Sequence, residues 1–115
     1  MSASFKAPPL TEKEFQQQVT ELAEILGWAW AHFRPAQTAH GWRTPVSGSL
    51  GAGFPDLILC RPGKTLFAEL KRDGVKATIA QEIVHAQLRE AGNDVRVWRP
   101  ADWDAVVACL NGEVR

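Results

Sequence analysis

Asp56, Glu69 and Lys71 are the residues of this chain whose types and spacing could do chemistry. They lie on either side of Arg61-Pro62-Gly63-Lys64, a turn signal flanked by two short apolar runs, which predicts an antiparallel hairpin. With the turn centred on Pro62-Gly63, Cys60 faces Thr65, and counting outward Asp56 faces Glu69. Directly opposed residues have Cβ atoms about 5 Å apart, so the two carboxylates repel unless a proton or a cation sits between them. Lys71 follows Glu69 by two residues and shares its face, while Leu70 points the other way. Two oxygen ligands near a strand end suit a hard divalent ion such as Mg²⁺. An amine beside that ion suits charge building up on a phosphate. A one-residue slip in register would undo the arrangement. The competing reading is an edge hairpin with solvated charges. Pro-Gly matches a type II turn better than the primed turns of two-residue hairpins, which predicts a four-residue or bulged connection.

The rest of the chain supplies the elements that would hold these groups. Residues 1–10, with two prolines and no periodicity, read as a flexible arm ahead of a single domain over 11–115. Thr11-Glu12-Lys13-Glu14 is a capping box that starts a helix, and Gly27 ends it. Phe15, Val19, Leu22, Ala23 and Leu26 recur at helical spacing. Glu12 lies on that buried stripe and is the helix acid best placed to join Asp56 and Glu69, with Glu14 as the alternative. A first-turn acid complementing the helix dipole accounts for Glu12 equally well.

Trp28 to Phe33 reads as a strand with Trp28, Trp30 and His32 on one face. His32 reads as a structural histidine rather than a phosphate contact. Arg34 to Gly53, rich in Gly and Pro, reads as a long loop. Arg34, His40, Arg43 and Thr44 in it are candidate phosphate-backbone contacts, and Trp42 could stack on a base. Arg72 and Lys76, after the hairpin, join that set of candidate nucleic-acid contacts. A helix is expected from about Thr78, its N-cap, to Ala91, with Ile79, Ile83, Val84, Ala86 and Leu88 as apolar positions. Gln81 in its first turn, and His85 one turn on, could face the hairpin, although an exposed helix Gln is the plainer reading. Asp94 to Trp98 reads as a strand, and Asp102 as the cap of a last helix burying Val106, Val107 and Leu110. The order α-β-β-β-α-β-α predicts an α/β fold, a mixed sheet with helices on both faces.

Composition limits the partners. The 115 residues carry no net charge, which argues against a strongly basic nucleic-acid binder. The charge is segregated, however: residues 34–72 hold six Lys or Arg against Asp56 and Glu69, a net +4, between ends of −2 each. That is a modest footprint for a polyanion, which chance segregation would also produce. No apolar run approaches the roughly 20 residues that span a bilayer, and no signal peptide is evident, so a cytoplasmic protein is expected. Cys60 and Cys109 lack CxxC spacing and read as buried free thiols. The three histidines lack the spacing of a zinc site, and no Ser-His-Asp or Cys-His set competes. Gly63-Lys64-Thr65 would need Gly in place of Ile58 to complete a P-loop.

Taken together, a helix with Glu12, then Gly53-Phe54-Pro55-Asp56, Glu69-Leu70-Lys71 and Gln81, resembles the VRR-NUC family of the PD-(D/E)xK nuclease superfamily. The resemblance spans about Thr11 to Leu110. It implies a restriction-endonuclease-like fold and Mg²⁺- or Mn²⁺-dependent cleavage of DNA phosphodiesters. It implies Asp56, Glu69 and the Leu70 carbonyl as metal ligands and Glu12 as completing the metal's water shell. Lys71 would position or activate the attacking water, and Gln81 would orient groups beside Lys71. Stand-alone members resemble small homodimeric enzymes acting on branched DNA such as four-way (Holliday) junctions, in repair and recombination. Two departures from the family pattern stand out: two acids, Glu12 and Glu14, for one role, and the Arg34–Gly53 insertion. A non-catalytic DNA-binding module on the same fold, and a restriction-type enzyme cutting linear duplex, are the alternatives.

Overall fold

The structure is a computed structural model that describes residues 9–33, 36–38, 41–43 and 46–112. Among the described residues, three α-helices and six strands follow in the order α1 (Glu12–Ile25), β1 (Ala29–His32), β2 (Ala36–Thr38), β3 (Gly41–Arg43), β4 (Leu57–Arg61), β5 (Lys64–Leu70), α2 (Ile79–Glu90), β6 (Asp94–Trp98) and α3 (Trp103–Leu110). Four strands form one mixed sheet in the order β1-β4-β5-β6. β4 pairs antiparallel with both β1 and β5, and β5 runs parallel to β6, the α2 crossover making that direction possible. β2 and β3 form a separate antiparallel pair. The expected long loop over 34–53 thus contains a small hairpin, whose runs of three residues are too short to announce themselves by alternation.

The central hairpin has the expected register: Cys60 pairs with Thr65 and Leu57 with Ala68, so Asp56 and Glu69 come next. The expectation of a longer or bulged connection is overturned. Arg61 pairs with Lys64, leaving Pro62 and Gly63 as a two-residue turn. Gly63 has φ of 80°, the left-handed value that a type II turn needs at its third residue and that glycine adopts without strain.

Alternation along β4 and β5 sends Leu57, Leu59, Leu66, Ala68 and Leu70 into the core with Phe15, Val19 and Ala23 of α1 and Val106 and Leu110 of α3. Each of the Leu, Val and Phe side chains among them contributes on the order of 1.5–3 kcal/mol through burial. Glu69 points to the other face, where α2 covers it. Trp28 closes the core edge: its indole N–H donates to the Leu110 carbonyl, and Arg61 lies over its ring. Trp30, two residues on, stays partly exposed and donates to Glu24.

Several local expectations are corrected. Leu10, expected within a flexible arm over 1–10, packs against the core, and residues 1–8 lie outside the described residues. The helix expected from the apolar positions forms as α2, but Ile79 is 77% and Ile83 55% exposed, while Val84 and His85 are buried. A histidine supplies part of the buried face of α2, so the aliphatic positions alone do not mark it. Asp102 does not cap α3 with its side chain; its carboxylate accepts from the Arg99 N–H instead. Cys60 is exposed and Cys109 only half-buried, since Cys60 sits near the turn on the face away from Leu57 and Leu59. Among the described residues no helix is long and apolar enough to cross a membrane.

Candidate metal centre

Each residue of the Gly-Phe-Pro-Asp stretch has a packing reason that fixes Asp56. Gly53 runs so close to the start of α2 that a Cβ there would collide with the Ala80 carbonyl. Phe54 stacks edge-on between Phe33 and Phe67, at centroid distances of 5.3 and 5.7 Å. Pro55 is fully buried. Asp56 then has its carbonyl bonded by the Phe33 N–H at 2.8 Å, and its side-chain Oδ2 accepts the Leu70 N–H at 2.9 Å. The acid is therefore tied to both neighbouring strand ends before any ligand arrives.

Glu12, Asp56 and Glu69 converge: each offers a carboxylate oxygen, and all three lie within 4.8 Å of one another. Glu12 comes from the first turn of α1, Asp56 from the residue just before β4 and Glu69 from the end of β5. The choice between the two helix acids is explained by the cap. Thr11 Oγ1 accepts the Glu14 N–H, and Glu14 Oε1 accepts the Thr11 N–H at 2.9 Å, a bond that holds the Glu14 carboxyl below its ordinary range.

Glu69 is 1% exposed. Burial first, then the hydrogen bond and charge of Asp56, push its pKa up to about 9; Lys71 opposes the shift and Glu12 adds to it. Lys71 is close enough that its charge acts on both Glu69 and His85. His85, also buried, places Nε2 at 3.5 Å from Glu69 Oε1, and neither atom has a hydrogen-bond partner. A buried carboxylate oxygen without a donor, in a cluster of three acids, is what a hard cation would satisfy. The residues therefore fit a divalent ion, with Asp56 and Glu69 as oxygen donors and Glu12 placed to reach the ion or its water.

A cavity of about 500 Å³ opens on the cluster. Glu12, Asp56 and Leu70 line it, with His32, Lys13 and Arg72 around them. Among the expected nucleic-acid contacts, Arg72 is thus at the cavity, whereas Lys76 lines a different one beyond α2. Arg34, His40 and Thr44 lie outside the described residues, and Trp42 and Arg43 fall on β3, whose side chains are likewise outside them. Gln81 starts α2 rather than facing the acids with a free side chain: its Oε1 accepts the Thr78 N–H at 2.9 Å in a capping box. Sequence reasoning passed over Lys13, set His32 aside as structural and gave His85 a minor place. The signal for His85 was its spacing of one turn from Gln81 on a helix whose other face is aliphatic.

No family model matches the sequence, and no curated protein matches it.

Proposed function

We propose that this chain is a metal-dependent DNA endonuclease of restriction-endonuclease-like fold, hydrolysing phosphodiester bonds, with branched DNA such as a four-way junction as its preferred substrate and a homodimer as its working form. The observation that carries the reading is the convergence of Glu12, Asp56 and Glu69 within 4.8 Å, beside a lysine whose charge reaches Glu69. The dimer rests on the two-fold pairing of symmetric cuts and on the family resemblance.

Asp56 and Glu69, with the Leu70 carbonyl, would hold Mg²⁺ or Mn²⁺, and Glu12 would hold its water. When bound, that ion lowers the pKa of water and neutralises phosphate charge. The chain's own residues do the rest. The Leu70 N–H fixes one Asp56 oxygen, so the acid needs no reorganisation to bind. Lys71 offsets the charge that develops on the phosphate. Lys13 and Arg72, on the cavity wall, attract and seat the strand's phosphates. Gln81 contributes by fixing the start of α2, which carries His85 to Glu69.

The test compares cleavage of a four-way junction, a flap, single strands and linear duplex, with Mg²⁺, with Mn²⁺ and with chelator. Wild type should cut the junction best and only with metal, and Asp56→Asn should bind DNA without cutting. Binding by both with cleavage by neither would make the protein a non-catalytic DNA-binding module. Cutting of linear duplex at one motif would make it a restriction-type enzyme.

A further inference from the structure

A second cavity, of about 300 Å³, lies between α2, β6 and the segment that leads into α2, and is lined by Lys76, Glu82, His85, Arg89, Val97 and Arg99. Three cations face one acid there. Arg89 and Arg99 are held by neutral groups: Arg89 Nε and Nη2 both donate to the Val95 carbonyl, at 3.2 and 2.9 Å. Arg99 Nε and Nη2 both donate to the Val75 carbonyl, at 3.1 and 2.7 Å. No carboxylate among the described residues forms an ion pair with Lys76, Arg89 or Arg99. A carbonyl that takes one edge of a guanidinium fixes its orientation but leaves its charge uncancelled and its other N–H groups available. Such a fork is already ordered, so binding an anion costs it little further entropy.

We propose that this cavity is a phosphate site, in which Arg89, Arg99 and Lys76 take one phosphate group. Guanidinium forks match the oxygens of a phosphate, and the Lys76 ammonium adds a point charge to the same space. The group is either a free phosphate or one link of a nucleic-acid backbone. His85 is the wall this cavity shares with the acid cluster, since the same ring meets Glu69. A backbone link held here would lie one imidazole away from Glu69. The site itself needs neither the three acids nor a cation, so it stands apart from the proposed hydrolysis.

The test is an amide-resolved NMR titration of the full chain with inorganic phosphate, at constant ionic strength made up with chloride. Saturable shifts are expected at Ala77, Val97 and Arg99. Arg99→Gln should weaken binding about tenfold, the loss of one charge-assisted contact. Lys76→Gln should weaken it several-fold; the Lys76 ammonium makes no ion pair among the described residues, so this variant keeps the fold if Arg99→Gln does not. Non-saturating shifts in wild type, or saturation unchanged in Lys76→Gln, would overturn the proposal. A short oligothymidylate added without divalent metal separates the sources. Displacement of phosphate from the same amides identifies the backbone link, and phosphate binding undisturbed by the oligonucleotide identifies the free anion. Asp56→Asn should leave the phosphate titration unchanged, so the two proposals fail separately.

Discussion

His85 Nε2 stands 3.5 Å from Glu69 Oε1 in the interior, and neither atom is hydrogen-bonded. Burial lowers the His85 pKa, with Arg89 adding to the effect, while burial and Asp56 raise that of Glu69. Both shifts favour the uncharged forms of the two side chains. An unsatisfied buried nitrogen is a cost that an apolar side chain of similar size does not carry. His85→Leu should therefore stabilise the metal-free protein by about 1 kcal/mol in urea denaturation, and should weaken cation uptake by leaving Glu69 without its neighbour. A loss of stability would instead assign His85 to holding the fold.

Cation uptake should depend on pH through Glu69. Its folded pKa of about 9 lies above the ordinary carboxylate value of 4.5. Between those two values the unfolded chain has lost a proton that the folded chain keeps, so this group's contribution to stability falls as pH rises through that window. A bound cation needs the ionised form, so its uptake releases a proton, and apparent Mg²⁺ affinity should rise by up to about tenfold per pH unit below that pKa. Calorimetric titration at pH 6, 7 and 8 measures the slope. A flat profile would mean that Glu69 is not a ligand.

Asp94 supplies the acid-side counterpart, away from the site. The Arg96 hydrogen bonds, at 2.6 and 3.1 Å, lower its pKa to about 2, with burial opposing and Lys64 at 2.6 Å adding to the effect. A depressed carboxylate stabilises above its unfolded pKa and loses that contribution as pH falls through the folded one. Asp94→Asn should cost roughly 1 kcal/mol at pH 6 after allowance for solvent screening, and almost nothing at pH 2. Urea midpoints at the two pH values check this.

Gly53→Ala should damage both fold and site. The new Cβ would lie 2.9 Å from the Gln81 Cα and collide with the Ala80 carbonyl, so the start of α2 must move. Overpacking of this kind costs on the order of 1–3 kcal/mol. Because α2 carries His85, the Glu69 environment moves too, and cation affinity should drop along with the melting temperature. Unchanged values of both would refute the close approach.

The hairpin register and the acid positions were legible because they follow from local rules: a Pro-Gly turn, alternation in the strands, and a capping box that claims Glu14. The buried stripe of α2 was not. Ile79 and Ile83 are the aliphatic positions, yet the helix buries His85, since what lies beneath it is Glu69 rather than an apolar floor. Gln81 looked like a site residue because its two roles, cap and orienting group, leave the same trace in sequence. The second cavity was unreadable because Lys76, Arg89 and Arg99 come from three separate segments and meet only after the β5-α2-β6 crossover forms.

The central claim is that Glu12, Asp56 and Glu69 take up a divalent ion, and Mn²⁺ titration followed by the electron paramagnetic resonance of the free ion measures it directly. Wild type, with a four-way junction present, should remove Mn²⁺ from solution at a saturable site that Asp56→Asn lacks. No uptake by wild type, or equal uptake by Asp56→Asn, would contradict the account.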